Sequence, residues 1–293
     1  MTELDFQDFA PLATLTRGGL NESFHLGLAV LVDPAGRVLE SHGNIQKPMY
    51  PRSALKPVQA LVMQELGLKL TGEELVLSMA SHLGTTAHID VVDRILKTFQ
   101  LTRSDLLCPR AFPGNPKARA ESNEMSRIAM NCSGKHAAFL ATCKRMQWPM
   151  ESYMQLDHPL QQQVLKRVGE LLGMPGAELV TARDDCGVPT LQLQLAQMAL
   201  LFAHLGASEQ PELERLSRAM LAHPELVAGS GRFDTEVMRS SHGQVLSKGG
   251  AEGIQCLSRV GEGLGLAIKV EDGASRAKHA VALHLMKQLE WLT

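Results

Sequence analysis

Strand-like runs stand at both ends of this chain, and helical spacing fills its middle. Near the start, FHLGLAVLV (24–32) is a short apolar run, DPAG (33–36) is a turn and RVLESHG (37–43) is a second strand. Together they have the signature of a hairpin. In the last third, HGQVLSKGG (242–250), GIQCLSRV (253–260) and LGLAIKVED (264–272) repeat that character between glycine turns. AKHAVALHLMKQLEWL (277–292) then closes the chain as a helix. Strands from the two ends pair with one another or leave apolar faces bare. The expected fold class is therefore α/β of the α+β type: an antiparallel sheet flanked by helices, with a helical region between its two halves. No glycine motif of the dinucleotide-binding type follows a strand, so a doubly wound parallel sheet is not expected.

The middle of the chain reads as helices. ALKPVQALVMQELG (54–67) places Leu55, Val58, Leu61, Val62 and Leu66 on one stripe and ends at Gly67. Further helices are expected in TGEELVLSMASH (71–82), IDVVDRILKTF (89–99) and CSGKHAAFLATCKRM (132–146). HPLQQQVLKRVGELLG (158–173), PTLQLQLAQMALLFAHLG (189–206) and PELERLSRAMLA (211–222) complete the set, and LLCPRAFPGNPKARAE (106–121) is a loop punctuated by proline. The expected organisation is a single catalytic domain over residues 1–293, with a helical subregion at roughly 55–225.

Composition narrows the function classes. Apolar residues are 44% and charged residues 20% of 293, as in a soluble globular protein. The formal charge is −2, from 29 basic and 31 acidic residues, and no Lys/Arg run stands out, so no nucleic-acid partner is expected. Runs such as LGLAVLV are too short to span a bilayer. MTELDFQDFA lacks the basic start and apolar run of a signal peptide. The expected location is cytoplasmic, where the five cysteines (108, 132, 143, 186 and 256) stay reduced as core residues, nucleophiles or ligands.

Two clusters carry chemistry. In RSALK, Ser53 and Lys56 are three apart at a helix start, so they share a face. A serine hydroxyl is a poor nucleophile until a neighbouring base takes its proton, and a desolvated lysine can serve. The bland alternative is a solvated helix start. In SKGGAEG, Lys248 precedes Gly249 at a strand end, like the Lys-Ser/Thr-Gly strand of penicillin-recognising enzymes but without the hydroxyl.

The second cluster is NCSGKH, with Cys132, Lys135 and His136 on one helical turn, joined by RDDCGVPT with Asp184, Asp185 and Cys186. Two cysteines with Lys135, His136 or an aspartate could hold zinc. Cys132 could equally be a nucleophile activated by Lys135, or the helix could simply pack tightly there. A lysine ligand must be neutral, and lowering its pKa from about 10.4 to about 7 costs roughly 4–5 kcal/mol, which a nearby cation would offset.

The ordered blocks resemble the asparaginase II family, the Rhizobium-type L-asparaginases. They are TRGGLNESFH (16–25), PRSALKPVQAL (51–61), ASHLGTTAH (80–88), NCSGKHAAFLATC (131–143), DDCGVPT (184–190), MLAHPELVAGSGRFDTEVM (220–238), SKGGAEG (247–253) and LGLAIKVEDGASRA (264–277). The resemblance implies hydrolysis of L-asparagine to L-aspartate and ammonia. It also implies a fold like the serine β-lactamases and serine glutaminases, and a homodimer. It implies Ser53 and Lys56 as the central pair, Ser81 as a second catalytic serine and Lys269 in the active site. Zinc ligands are implied at Cys132, Lys135 and Cys186, with Asp184 behind them. Arg52 and His136 flank these as support.

The chain departs from the family pattern at three places. The family's Ser-Gly-Glu after the ASH histidine is Leu83-Gly84-Thr85 here. Its Cys-Gly-x-His-x-Pro loop is Cys108–Pro113 without the histidine, and its arginine after the N-terminal histidine is Leu26. The resemblance thus leaves open a related amidohydrolase acting on glutamine or another small amide, direct hydrolysis at zinc, and a catalytically silent asparagine-binding protein.

Overall fold

Six strands form one antiparallel sheet, and both ends of the chain contribute to it. Its spatial order is Ala10–Arg17, Leu20–Val32, Leu264–Val270, Ile254–Arg259, Val245–Gly249, with Val38–His42 also paired to Leu20–Val32. The computed structural model describes residues 6–207 and 209–292; the expected domain limits at 1 and 293 lie outside them. The pairing of the early hairpin with the late strands is the fold that the sequence pattern requires. Leu28–Val32 is the apolar run that anchors it: all five residues are buried, as in a strand covered on both faces. Register brings Lys269 opposite both Leu28 and Ile254, at the same end of the sheet as the turn that joins Gly249 to Ile254.

Two structural units are distinguishable. The sheet unit comprises residues 1–54, 192–209 and 237–293. The helix Leu195–Ala207 packs on its central strands, and Ser275–Gln288 packs on Leu264–Val270 and Ala10–Arg17. The helical unit comprises residues 55–191 and 210–236. Its helices include Lys56–Glu65, Gly72–Met79, Thr86–Thr98, Ser133–Met146, Pro159–Leu172 and Pro211–Ala222. Pro57, Pro159 and Pro211 each sit in the first turn of their helices, where the missing N–H would have had no partner.

Three local readings differ from the expectation. Ala10–Arg17 is a strand without an apolar run, held by its pairing to Leu20–Val32 rather than by burial. The segment expected to be helical from residue 189 is extended at Pro189–Leu191 and Leu193–Gln194, and its helix starts only at Leu195. The alternating T-L-Q-L-Q has a strand's period of two, and the true helix behind it masks this. Phe233–Ser240 adds a helix that the glycine-rich GSGR before it obscures. Among the described residues, no helix is long and apolar enough to cross a membrane.

Candidate active site

Lys56 opens the helix Lys56–Glu65, which continues directly from the 3-10 turn Arg52–Leu55 that carries Ser53. Ser53 is half-buried. Lys56 is only 1% exposed, which is rare for a lysine unless its charge or its donors are used. Its Nζ donates to Ala80 O at 2.5 Å and to Ser81 Oγ at 3.0 Å. Ser81 lies just beyond the end of Gly72–Met79, where the chain is extended at Ala80. The structure therefore brings Lys56 and Ser81 together from residues 25 apart.

The next residue locks that segment. His82 is buried, and its Nδ1 accepts from Gly84 N at 3.0 Å. Its Nε2 then carries the proton and donates to Ser133 Oγ at 2.9 Å. Burial first, then the nearby His88 and Lys56, holds the His82 pKa well below the ordinary range, so the ring is neutral. This bond ties the Ser81 segment to the start of Ser133–Met146, the helix that bears the cysteine–lysine cluster.

In that cluster Lys135 Nζ donates to Cys186 Sγ at 3.1 Å. Cys186 sits in the tight turn between Thr181–Arg183 and Pro189–Leu191, closed by Asp184 N donating to Val188 O at 2.9 Å. Asp184 Oδ2 is 3.9 Å from the Cys186 sulfur. A hydrogen bond from Cys186 holds Cys132 well below the thiol range; burial opposes this, and the Lys56 and Lys135 cations reinforce it. The Cys186 thiol is correspondingly pushed up, first by the same bond and then by burial. Burial works against the charge of Lys135, yet the two sulfurs outweigh it and raise its pKa. The cluster thus brings two sulfurs and one lysine nitrogen close together.

These donors suit zinc. Two sulfurs and one amine are a ligand set with a position to spare, and all three residues are buried. Zn–S of about 2.3 Å and Zn–N of about 2.0 Å in a tetrahedron put sulfur and nitrogen about 3.5 Å apart. The observed 3.1 Å is within a small adjustment of that. Among the described residues no three His, Cys, Asp or Glu side chains gather as a metal cluster, so any such site depends on the lysine. His136 is engaged elsewhere. Its Nδ1 is hydrogen-bonded to Tyr153 Oη at 2.6 Å, and that oxygen also accepts from Leu107 N at 3.2 Å. No sequence motif marks Tyr153, because its role arises only from packing.

The sheet unit holds the remaining candidates. Lys248 is fully buried on Val245–Gly249, with Nζ donating to Gly249 O at 2.8 Å. Arg52 and Lys269 line a cavity of about 220 Å³ with Lys47, Tyr50, Glu252 and Glu271. Lys269 Nζ donates to Val270 O at 2.7 Å and lies 3.4 Å from Glu271 Oε2. The two glutamates sit in stretches quoted above for other reasons, and nothing in their spacing singles them out.

The architecture places the protein with the β-lactamase-like folds. A crystal structure of a β-lactamase from Mycobacterium bovis superposes with a TM-score of 0.50 at 16% identity, over 91% of this chain and 95% of that one. A crystal structure of Mglu in its glutamate form matches with a TM-score of 0.42 at 12% identity, over 92% of this chain and 61% of that one. No curated protein matches in sequence. Residues 13–293 match the family described as L-asparaginase II, and the chain belongs to that family of hydrolases.

Proposed function

We propose that the protein hydrolyses L-asparagine to L-aspartate and ammonia by acyl transfer through Ser53. The observation that carries this reading is the buried Lys56, three residues beyond the serine, whose Nζ reaches Ala80 O and Ser81 Oγ. A neutral amine has two N–H groups and one lone pair. Ala80 O and Ser81 Oγ each accept from Lys56 Nζ, and in the proposed reaction the neutral form of Lys56 takes the serine proton on its lone pair.

The reaction runs in two halves. Lys56 takes the Ser53 proton as Oγ bonds to the amide carbon. The oxyanion that forms is met by backbone N–H groups near Ser53 and along residues 247–250. The C–N bond then breaks, and the leaving nitrogen takes the proton from Lys56 and departs as ammonia. Water adds to the ester, giving its proton to Lys56. The ester C–O bond breaks, and Ser53 recovers its proton as aspartate leaves. Ser81 keeps Lys56 in place throughout. Developing negative charge near Ser53 is favoured at the N-terminus of Lys56–Glu65.

Cys132, Lys135 and Cys186 would hold zinc, with Asp184 and the Ser133–His82 bond steadying them. A bound zinc ion supplies a fixed positive charge that binds or polarises an oxygen-bearing ligand. Replacing Cys186 by alanine removes one of the three donors, so bound zinc measured by metal analysis is expected to fall from one per chain to near zero. Equal zinc in C186A and wild type would remove Cys186 from the set.

The direct test of the reaction is a panel of small amides with ammonia detection. L-asparagine is expected to release ammonia faster than L-glutamine or a β-aspartyl amide. Binding of L-asparagine with no ammonia released would overturn the hydrolytic reading in favour of a silent binding protein.

A further inference from the structure

The cavity lined by Arg52 and Lys269 carries both signs of charge in a volume of about 220 Å³. That is below the roughly 300–1,000 Å³ of sites for drug-sized molecules, so its occupant is small. Lys47 is already committed to Asp8, at 2.6 Å. Lys269 and Glu271 face each other at 3.4 Å. Glu252 lines the same cavity from an exposed turn.

The backbone singles out two of these residues. Among the described residues, six other than glycine have positive φ: Arg52, Gln100, Gln147, His242, Glu252 and Glu290. Gln100, Gln147, His242 and Glu290 each follow a helix by one or two residues, where a left-handed residue is the ordinary ending. Arg52 (φ 52°) and Glu252 (φ 56°) end no helix. Such a conformation costs of order 1 kcal/mol or more and persists only where the surroundings enforce it. Both of these residues line the one cavity.

The surroundings do enforce it. Buried Lys278 reaches across the turn, and its Nζ donates to Gly250 O and Ile254 O at 2.9 Å each. Gly250 leaves no room for a side chain, since a Cβ there would lie 2.7 Å from Pro51 O. The turn carrying Glu252 is therefore clamped against the residue that precedes Arg52. A guanidinium and a carboxylate are held on one small cavity, next in sequence to Ser53.

We propose that this cavity binds the α-amino-acid end of the substrate, with Glu252 receiving the α-ammonium group and Arg52 the α-carboxylate. Glu252 is then the residue that separates an amino acid from the same amide without its amino group. This assignment rests on the reading of Ser53 as the nucleophile for an asparagine-type amide. It is a claim about binding, so it can be tested apart from turnover.

The test compares L-asparagine with succinamate, which lacks only the α-amino group. Binding of each is measured by calorimetry on the full chain, for wild type, E252Q and E252D, and ammonia release is followed in parallel. Loss of a hydrogen bond to a charged group predicts weaker L-asparagine binding in E252Q by about tenfold to a hundredfold. Succinamate binding is expected to stay within about twofold of wild type, and E252D to recover part of the asparagine affinity. Equal loss for both ligands, or no loss for asparagine, would overturn the assignment. Wild-type binding of asparagine that E252Q weakens, without ammonia release from any variant, would instead support the cavity and refute the hydrolytic reading.

Discussion

Ser53→Ala is expected to abolish ammonia release from L-asparagine, with kcat falling by at least about a thousandfold while substrate still binds. In the proposed reaction the serine supplies the atom that bonds to the substrate. Deleting a nucleophile leaves only what substrate binding and preorganised donors provide over water. The loss should therefore appear in kcat, with KM changing by much less. Circular dichroism and the denaturation midpoint should match wild type, because Ser53 is half-buried and lies in a short 3-10 turn. Near-normal turnover in S53A would remove the serine from the chemistry. If a chelator then abolished that activity, water activated at the metal would be the better account.

Gly134→Ala is the second large effect. On intrinsic propensity alone this change favours the helix Ser133–Met146 by about 1 kcal/mol. The tertiary structure reverses the sign. A Cβ on Gly134 would stand 2.2 Å from Leu77 O, 2.8 Å from Leu77 C and 3.2 Å from Leu77 Cβ. Two of those atoms belong to the backbone of Gly72–Met79, so no rotamer change relieves the clash. The two helices must part, and overpacking of this kind costs about 3 kcal/mol. The same movement shifts Cys132 and Lys135, which flank the glycine, and the Ser133–His82 bond, so bound zinc and turnover should fall as well. A urea midpoint shifted down at constant slope would report the loss of stability. A midpoint at or above that of wild type would mean that the helices accommodate the methyl group.

The two outcomes trace what the chain discloses before folding. Ser53 and Lys56 stand out in the sequence because their spacing predicts one helical face; the chain in fact places Ser53 in the 3-10 turn Arg52–Leu55 and Lys56 at the first position of the helix that follows. The sheet is legible because the 28–32 run is apolar enough to be a buried strand. Ala10–Arg17 is not, since an edge strand owes its conformation to the partner beside it and most of its residues stay exposed. Nor are Tyr153 and Glu252. Tyr153 matters because it closes a bond to His136 from 17 residues away. Glu252 matters because Lys278 and Gly250 fix its turn. Lys135 would be set aside on chemical grounds alone, since an ammonium is no ligand. Its place beside two sulfurs is what makes it a plausible one.

The order in which the sheet's strands occur along the chain has a consequence for synthesis. Leu20–Val32 leaves the ribosome more than 200 residues before its hydrogen-bonded neighbour on one side, Leu264–Val270. Until then an apolar strand waits with an open edge, in the state most prone to pair with another nascent chain. Closing that contact spans more than 230 residues, so its loop entropy makes it a late folding event. A chain interrupted before residue 264 would lack the strand that pairs along Gly27–Val32 and closes that edge.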